Sequence, residues 1–113
     1  MGLSLEKARS LLKEAELDLK AKCYNKAASA AYFAARMTAD CLLEARGLQV
    51  PRRDDKLANL VEHLGLREAA SLLRDLYNTR KRADYSSLEV AGEEAAEALE
   101  KAKRAIELLK ALT

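Results

Sequence analysis

The sequence is poor in the residues that break regular structure: four glycines and one proline in 113 residues. Aromatics make up only 4%, there is no tryptophan, and Val, Ile and Thr are few. A chain so short of β-branched, aromatic and turn-forming residues does not read as a sheet, sandwich or barrel. No apolar run approaches the length a membrane span needs, so a soluble protein is expected. The amino terminus, MGLSLEKARS, is already charged at Glu6 and does not read as a signal peptide. Glu6 also stands where a myristoylation signal wants Ser or Thr. The only cysteines, Cys23 and Cys41, have no CxxC spacing and no histidine beside them. Two such thiols fit a reducing cytoplasm and suggest packed small hydrophobes rather than nucleophiles. A single histidine, His63, with no carboxylate or thiol cluster in sequence gives no metal site, and no cofactor is expected. No serine has a Ser-His-Asp spacing or a glycine elbow around it.

What remains is helical. Half the residues are hydrophobic and 34% are charged, with Ala, Leu, Glu, Lys and Arg dominant; these lose least free energy in a helix. The net charge of +2 mixes both signs and neither demands nor excludes nucleic acid. The length suits one domain over residues 1–113. A first helix is predicted from an N-cap at Ser4 to about Lys22, with Leu5, Ala8, Leu12, Ala15 and Leu19 on one stripe. Asn25 reads as the cap of a second helix that ends at Arg46, with Gly47 as its left-handed stop. That helix is alanine-rich on several faces, which predicts the centre of the bundle. Pro51 marks a loop, and a short third helix spans about Asp54 to Leu64 before Gly65. The fourth runs from Arg67 to Asp84 with Leu72, Leu73, Leu76 and Tyr77 as its apolar face. Ser87 reads as a cap for the fifth, which starts near Leu88 or Glu93, carries Ala95, Leu99, Ala102, Ile106 and Leu109, and ends at Leu112. The expected fold is all-α: an antiparallel up-and-down bundle of four long helices plus one short helix.

Two polar sets invite a functional reading, each against a plainer one. Arg80 and Asp84 are four apart and can simply form a surface ion pair. Tyr32, Arg36 and Asp40 recur every fourth residue on the apolar second helix. They form either the floor of a cleft or an intrahelical Arg36–Asp40 pair at the bundle edge. His63 sits where an imidazole favours a helix C-terminus, and Arg52-Arg53 beside Asp54-Asp55 reads as a solvated loop.

Three segments carry a family resemblance. YNKAASAAYFAARMTADCLLEARG is a small-residue helix with the aromatic pair Tyr32-Phe33. LREAASLLRDLYNTRKRADY ends in an arginine-rich turn closing on Ala83-Asp84-Tyr85, and EEAAEALEKAKRAIELLKAL has a closing alanine-and-leucine character. Together they resemble a HEPN domain over nearly the whole chain, of the type found beside minimal nucleotidyltransferases. The resemblance implies a helical bundle, a homodimer, and membership of a toxin–antitoxin-like pair with a nucleotidyltransferase partner. It also implies a nucleotide or RNA ligand, with Arg80, Arg82, Asp84 and Tyr85 contacting it. In a dimer, Arg80, Lys81 and Arg82 of both subunits would line one basic groove.

Active members of the family are metal-independent RNases with an Arg followed four to six residues later by His. Here those positions after Arg80 hold Asp84, Tyr85 and Ser86, and after Arg82 they hold Ser86, Ser87 and Leu88. Cleavage needs a base for the 2′-hydroxyl, and imidazole suits that task near neutrality. An arginine can stabilise phosphorane charge, but a tyrosine hydroxyl, titrating near ~10, is a poor base. RNase activity is therefore expected to be absent or weak. An RNase with altered groups around Arg80 and a purely structural dimerisation module remain the alternatives. Modification of Tyr85 by the nucleotidyltransferase is a further implication of the resemblance.

Overall fold

The computed structural model describes residues 5–85 and 89–113. Five α-helices and a terminal 3-10 turn account for most of them: α1 (Leu5–Lys20), α2 (Tyr24–Ala45), α3 (Asp54–His63), α4 (Arg67–Tyr85), α5 (Gly92–Leu109) and the turn Lys110–Leu112. There are no strands among the described residues, and the molecule is an all-α up-and-down bundle measuring 38 × 24 × 21 Å. No helix is long and apolar enough to cross a membrane among the described residues.

The alanines of α2 explain the arrangement. Ala27, Ala28, Ala31, Ala34, Ala35 and Ala39 are all buried, because α1, α4 and α5 each pack against this one helix. Methyl groups let the helix backbones approach closely, and larger residues from the neighbours fill the gaps. Leu73 and Leu76 of α4 and Leu99 and Leu109 of α5 supply that volume. Thr38, the one buried polar residue among those described, donates its hydroxyl to Ala34 O at 2.8 Å. It therefore leaves no orphan donor in the core. The fourth-helix stripe holds in part: Leu73 and Leu76 are buried, whereas Leu72 and Tyr77 are half-buried at its edge.

Three helix ends are closed the same way. After α1, α2 and α3 the chain turns through one left-handed residue: Lys22, Gly47 and Gly65. Each turn ends in a backbone bond spanning five residues: Cys23 N to Asp18 O, Leu48 N to Leu43 O, and Leu66 N to Val61 O. These are Schellman closures, which glycine favours and lysine does not.

Two starting residues differ from the sequence reading. Asn25 does not cap α2; Cys23 holds that position, and Asn25 lies inside the first turn. Its side chain instead accepts a hydrogen bond from Val90 N at 2.9 Å, tying the approach to α5 onto α2. Ala91 caps α5, and Glu94 reaches back toward the Ala91 N–H at 3.4 Å, half of a capping box. The caps expected at Ser4 and Ser87 lie outside the described residues. Leu5, expected on the buried stripe, is 40% exposed because it begins α1 with only one side covered.

Candidate functional site

The last turns of α4 lie against the amino-terminal half of α2, and small side chains make this possible. Ala83 packs with Ala27, Ala28, Val90 and Ala95 in a cluster separate from the main core. That contact brings Asp84 within 2.8 Å of the Ser29 hydroxyl, which donates to Oδ1. Arg80 donates from Nε to the other oxygen of Asp84 at 2.9 Å. Both carboxylate oxygens are thus occupied by donors, one from each helix.

Arg80 is also held from below. Its guanidinium lies 4.8 Å from the Phe33 ring centroid and 5.7 Å from that of Tyr32. Tyr32 in turn meets Phe33 edge-on and Tyr77 at a tilt, with centroids 5.3 and 5.8 Å apart. Tyr32 is buried while Phe33 is 38% exposed, so the aromatic pair is a platform open on one side. A cation on an aromatic face in a partly desolvated place is stabilised by about 1–2 kcal/mol. Arg80 is preorganised rather than free-swinging.

Beside it opens a cleft of about 310 Å³. Phe33, Arg36, Met37 and Asp40 of α2 form its floor, Arg52 and Asp54 one wall, and Arg80 the other. The structure thus brings Arg36 and Asp40 to the same cleft as Arg80. Tyr32 forms the buried half of the platform and does not line the cleft; its ring centroid lies 5.7 Å from the Arg80 guanidinium.

Arg36 is fully engaged. It reaches Asp54 Oδ1 at 2.6 Å, Pro51 O at 2.7 Å, Arg52 O at 3.2 Å and Asp40 at 3.4 Å. The half-buried guanidinium therefore clamps the α2–α3 loop onto α2. The plainer reading, an intrahelical pair with Asp40, describes only its weakest contact. Asp40 pays for this geometry: Oδ1 is buried and has no hydrogen bond. Burial pushes the Asp40 carboxyl above its ordinary value, against the pull of Arg36 and with a further push from Glu44. Burial also raises the Asp54 carboxyl, opposed by the charge of Arg80. At 2.6 Å from Arg36, the ionised form is still the one that guanidinium favours. Burial, with Asp40 and Glu44 beside it, raises the Cys41 thiol, which keeps it from acting as a thiolate.

Arg82 and Tyr85 are not brought to this cleft. Two residues from Arg80 on a helix, Arg82 points to the other side and pairs with Glu94 at the start of α5. Tyr85 is 77% exposed and touches the same outer surface. The turn read in sequence as one site therefore serves two faces. Ser29 carries no signal in the sequence, and of the stretch expected to be a solvated loop Arg52, Arg53 and Asp55 are exposed whereas Asp54 is half-buried against Arg36. Arg52 is exposed at the cleft wall and makes no ion pair with a described residue. His63 is exposed at the last residue of α3. No group of three or more metal-ligating side chains occurs among the described residues.

The fold and site define a small helical bundle whose fourth helix sets one arginine, Arg80, on an aromatic pair of its central helix. The chain belongs to the HEPN domain family, whose model matches residues 1–112. Members of this family often act as RNases or in toxin–antitoxin pairs, and commonly dimerise. No curated protein matches the sequence.

Proposed function

We propose that the chain is a nucleotide- or RNA-binding HEPN protein, acting as a homodimer within a toxin–antitoxin-like module beside a nucleotidyltransferase, and that it is not an efficient nuclease. One observation carries the reading: Arg80 is fixed on the Phe33 ring at the mouth of the cleft, with Asp84 held by both Arg80 and Ser29. A preorganised guanidinium beside an exposed ring suits a phosphate with an adjoining base. Arg52 adds a second cation on the opposite wall.

Cleavage chemistry is less well served. The first residue in the family's histidine window is Asp84, and its two oxygens already accept bonds from Arg80 and Ser29. A carboxylate held that way is a poor candidate to take a proton from a 2′-hydroxyl. Tyr85, next in the window, faces solvent on the other side of α4.

The test pairs binding with cleavage. Nucleotides and labelled RNA are titrated against wild type and Arg80→Ala, without added metal. The expected result is intact RNA throughout, with ligand binding weakened in Arg80→Ala. Cleavage by wild type that disappears in the variant would identify an RNase instead. Equal binding by both proteins would remove the cleft from the account.

A further inference from the structure

α1 and α5 both pack closely on α2 but touch one another much less. Glu16 of α1 and Lys103 of α5 pair across that seam at 3.9 Å. Beyond the pair, toward the start of α1 and the end of α5, a hollow of about 100 Å³ opens between the helices. Ala8, Thr38 and Leu42 form its buried floor, and the half-buried Leu12 and Ile106 its sides. The Thr38 hydroxyl already donates to Ala34 O, so it brings no free donor to the hollow. An apolar space of this kind stays dry, and its walls lack the contacts of a packed core. Two cations border it from facing helices, Arg9 of α1 and Lys110 of α5. Arg9 is exposed and makes no ion pair with a described residue. Lys110 pairs with Glu107 at 3.2 Å, both side chains well exposed; such a pair contributes little and yields readily to another anion.

We propose that this hollow binds a medium-chain fatty acid, its methyl end between α1, α2 and α5 and its carboxylate between Arg9 and Lys110. The combination selects the ligand. The apolar floor takes a hydrocarbon chain, and the two cations at its edge take an anion while repelling an amine. The planar fork of Arg9 matches a carboxylate in particular. Size sets the chain. The hollow has about two-thirds of the ~150 Å³ that admits a benzene ring, so it takes roughly the last four carbons. Adding the stretch that crosses Leu12 and Ile106 before reaching the cations gives a chain of roughly eight carbons. The Arg80 cleft lies across α2, because Thr38 and Leu42 point away from Phe33, Arg36 and Asp40 on the helical period. The inference therefore goes beyond the proposed function and does not rest on it.

The test is a heteronuclear NMR titration of the nitrogen-labelled full chain with octanoate below its micelle concentration. Saturable amide shifts confined to the first half of α1, the second half of α2 and the end of α5 are expected. Arg9→Gln weakens octanoate about tenfold, as for loss of one charge-assisted hydrogen bond. Octanol binds more weakly than octanoate, and octylammonium does not bind. Ala8→Leu fills the hollow, so octanoate shifts disappear while the melting temperature equals or exceeds that of wild type. Should Ala8→Leu fail to fold, Arg9→Gln and the three head groups still decide the matter. Shifts that never saturate, or that scatter over every helix, mean detergent-like contact and overturn the site. Octanol binding as tightly as octanoate, or unchanged octanoate affinity in the Arg9→Gln, Lys110→Gln double variant, overturns the assignment of a fatty acid. Nucleotide titration of the Arg80 cleft is read separately, so neither result decides the other.

Discussion

Arg36 of α2 and Asp54 of α3 meet at 2.6 Å across the loop that joins their helices. The same guanidinium also donates to two loop carbonyls, Pro51 O and Arg52 O. One side chain therefore fixes where α3 begins and where Arg52 stands at the cleft wall.

Arg36→Ala leaves Asp40 and Asp54 half-buried without their guanidinium and strips the loop carbonyls of a donor. A loss of about 2–4 kcal/mol is expected in urea unfolding, somewhat below the ~3–5 kcal/mol for a fully buried pair because these groups are only partly buried. Arg36→Lys recovers only part, since an ammonium cannot match the planar fork that serves four acceptors. Wild-type stability in Arg36→Ala would show that the clamp is incidental.

Asp40 gives a pH signature. Its folded-state carboxyl is raised by burial, so the folded protein binds this proton more readily than the unfolded chain does. The charged form consequently costs stability at neutral pH, and the cost fades as pH falls toward the ordinary value of 3.8. Asp40→Asn should melt higher than wild type at pH 7, by roughly 1–3 °C on the scale for domains of this size. The two melting curves should converge in acid. A constant offset at every pH would contradict the burial argument.

Lys22 occupies a left-handed turn with φ of 63°, where its two counterparts are Gly47 and Gly65. A side chain in that region costs about 1–2 kcal/mol, and glycine's greater freedom in the unfolded chain returns part of it. Lys22→Gly is expected to stabilise by about 0.5–1 kcal/mol in denaturant titration, after both effects are counted. Destabilisation would mean that the lysine side chain makes up for its backbone.

Asp84 sets the charge that Arg80 presents. Asp84→Asn removes a negative charge 2.9 Å from the guanidinium while keeping the side chain's shape. Under the proposed function, RNA or nucleotide binding at the cleft tightens roughly twofold to fivefold, as for loss of a partly exposed ion pair. Stability should change by less than about 1 kcal/mol. Weaker binding in a calorimetric titration would place Asp84 among the ligand contacts instead.

The helices were legible because α1, α4 and α5 repeat apolar residues at intervals of three and four, and because the alanine content of α2 marks a helix buried on several sides. Gly47 and Gly65 announced their turns; Lys22 did not, since lysine carries no left-handed signal. Asn25 was misread because its partner Val90 is 65 residues away, and a local cap is the only use that sequence alone suggests for it. The Arg36–Asp40 spacing was visible, whereas the stronger bonds to Asp54 and Pro51 arise only when the loop folds back. The split between Arg80 and Arg82 was latent in helical geometry, since neighbours two apart point to opposite sides. Ser29 could not be found: nothing near it in the chain indicates that α4 will end beside it.

The methyl-lined central helix gives this protein an unusual direction of fragility. Most cores suffer chiefly when a large side chain is trimmed, because a void opens that the neighbours close only in part. Around Ala31, Ala35 and Ala39 there is little to trim, and each residue is fully enclosed by helices already at close quarters. Growth is the damaging change there: an added isopropyl group would push α1, α4 or α5 outward. Such a shift would also disturb the platform under Arg80, since Tyr32 and Phe33 stand directly beside Ala31 on the same helix. Variation in this chain is thus confined on the inside by upper limits on size, and its freedom to diversify lies on the outer faces of the helices around α2.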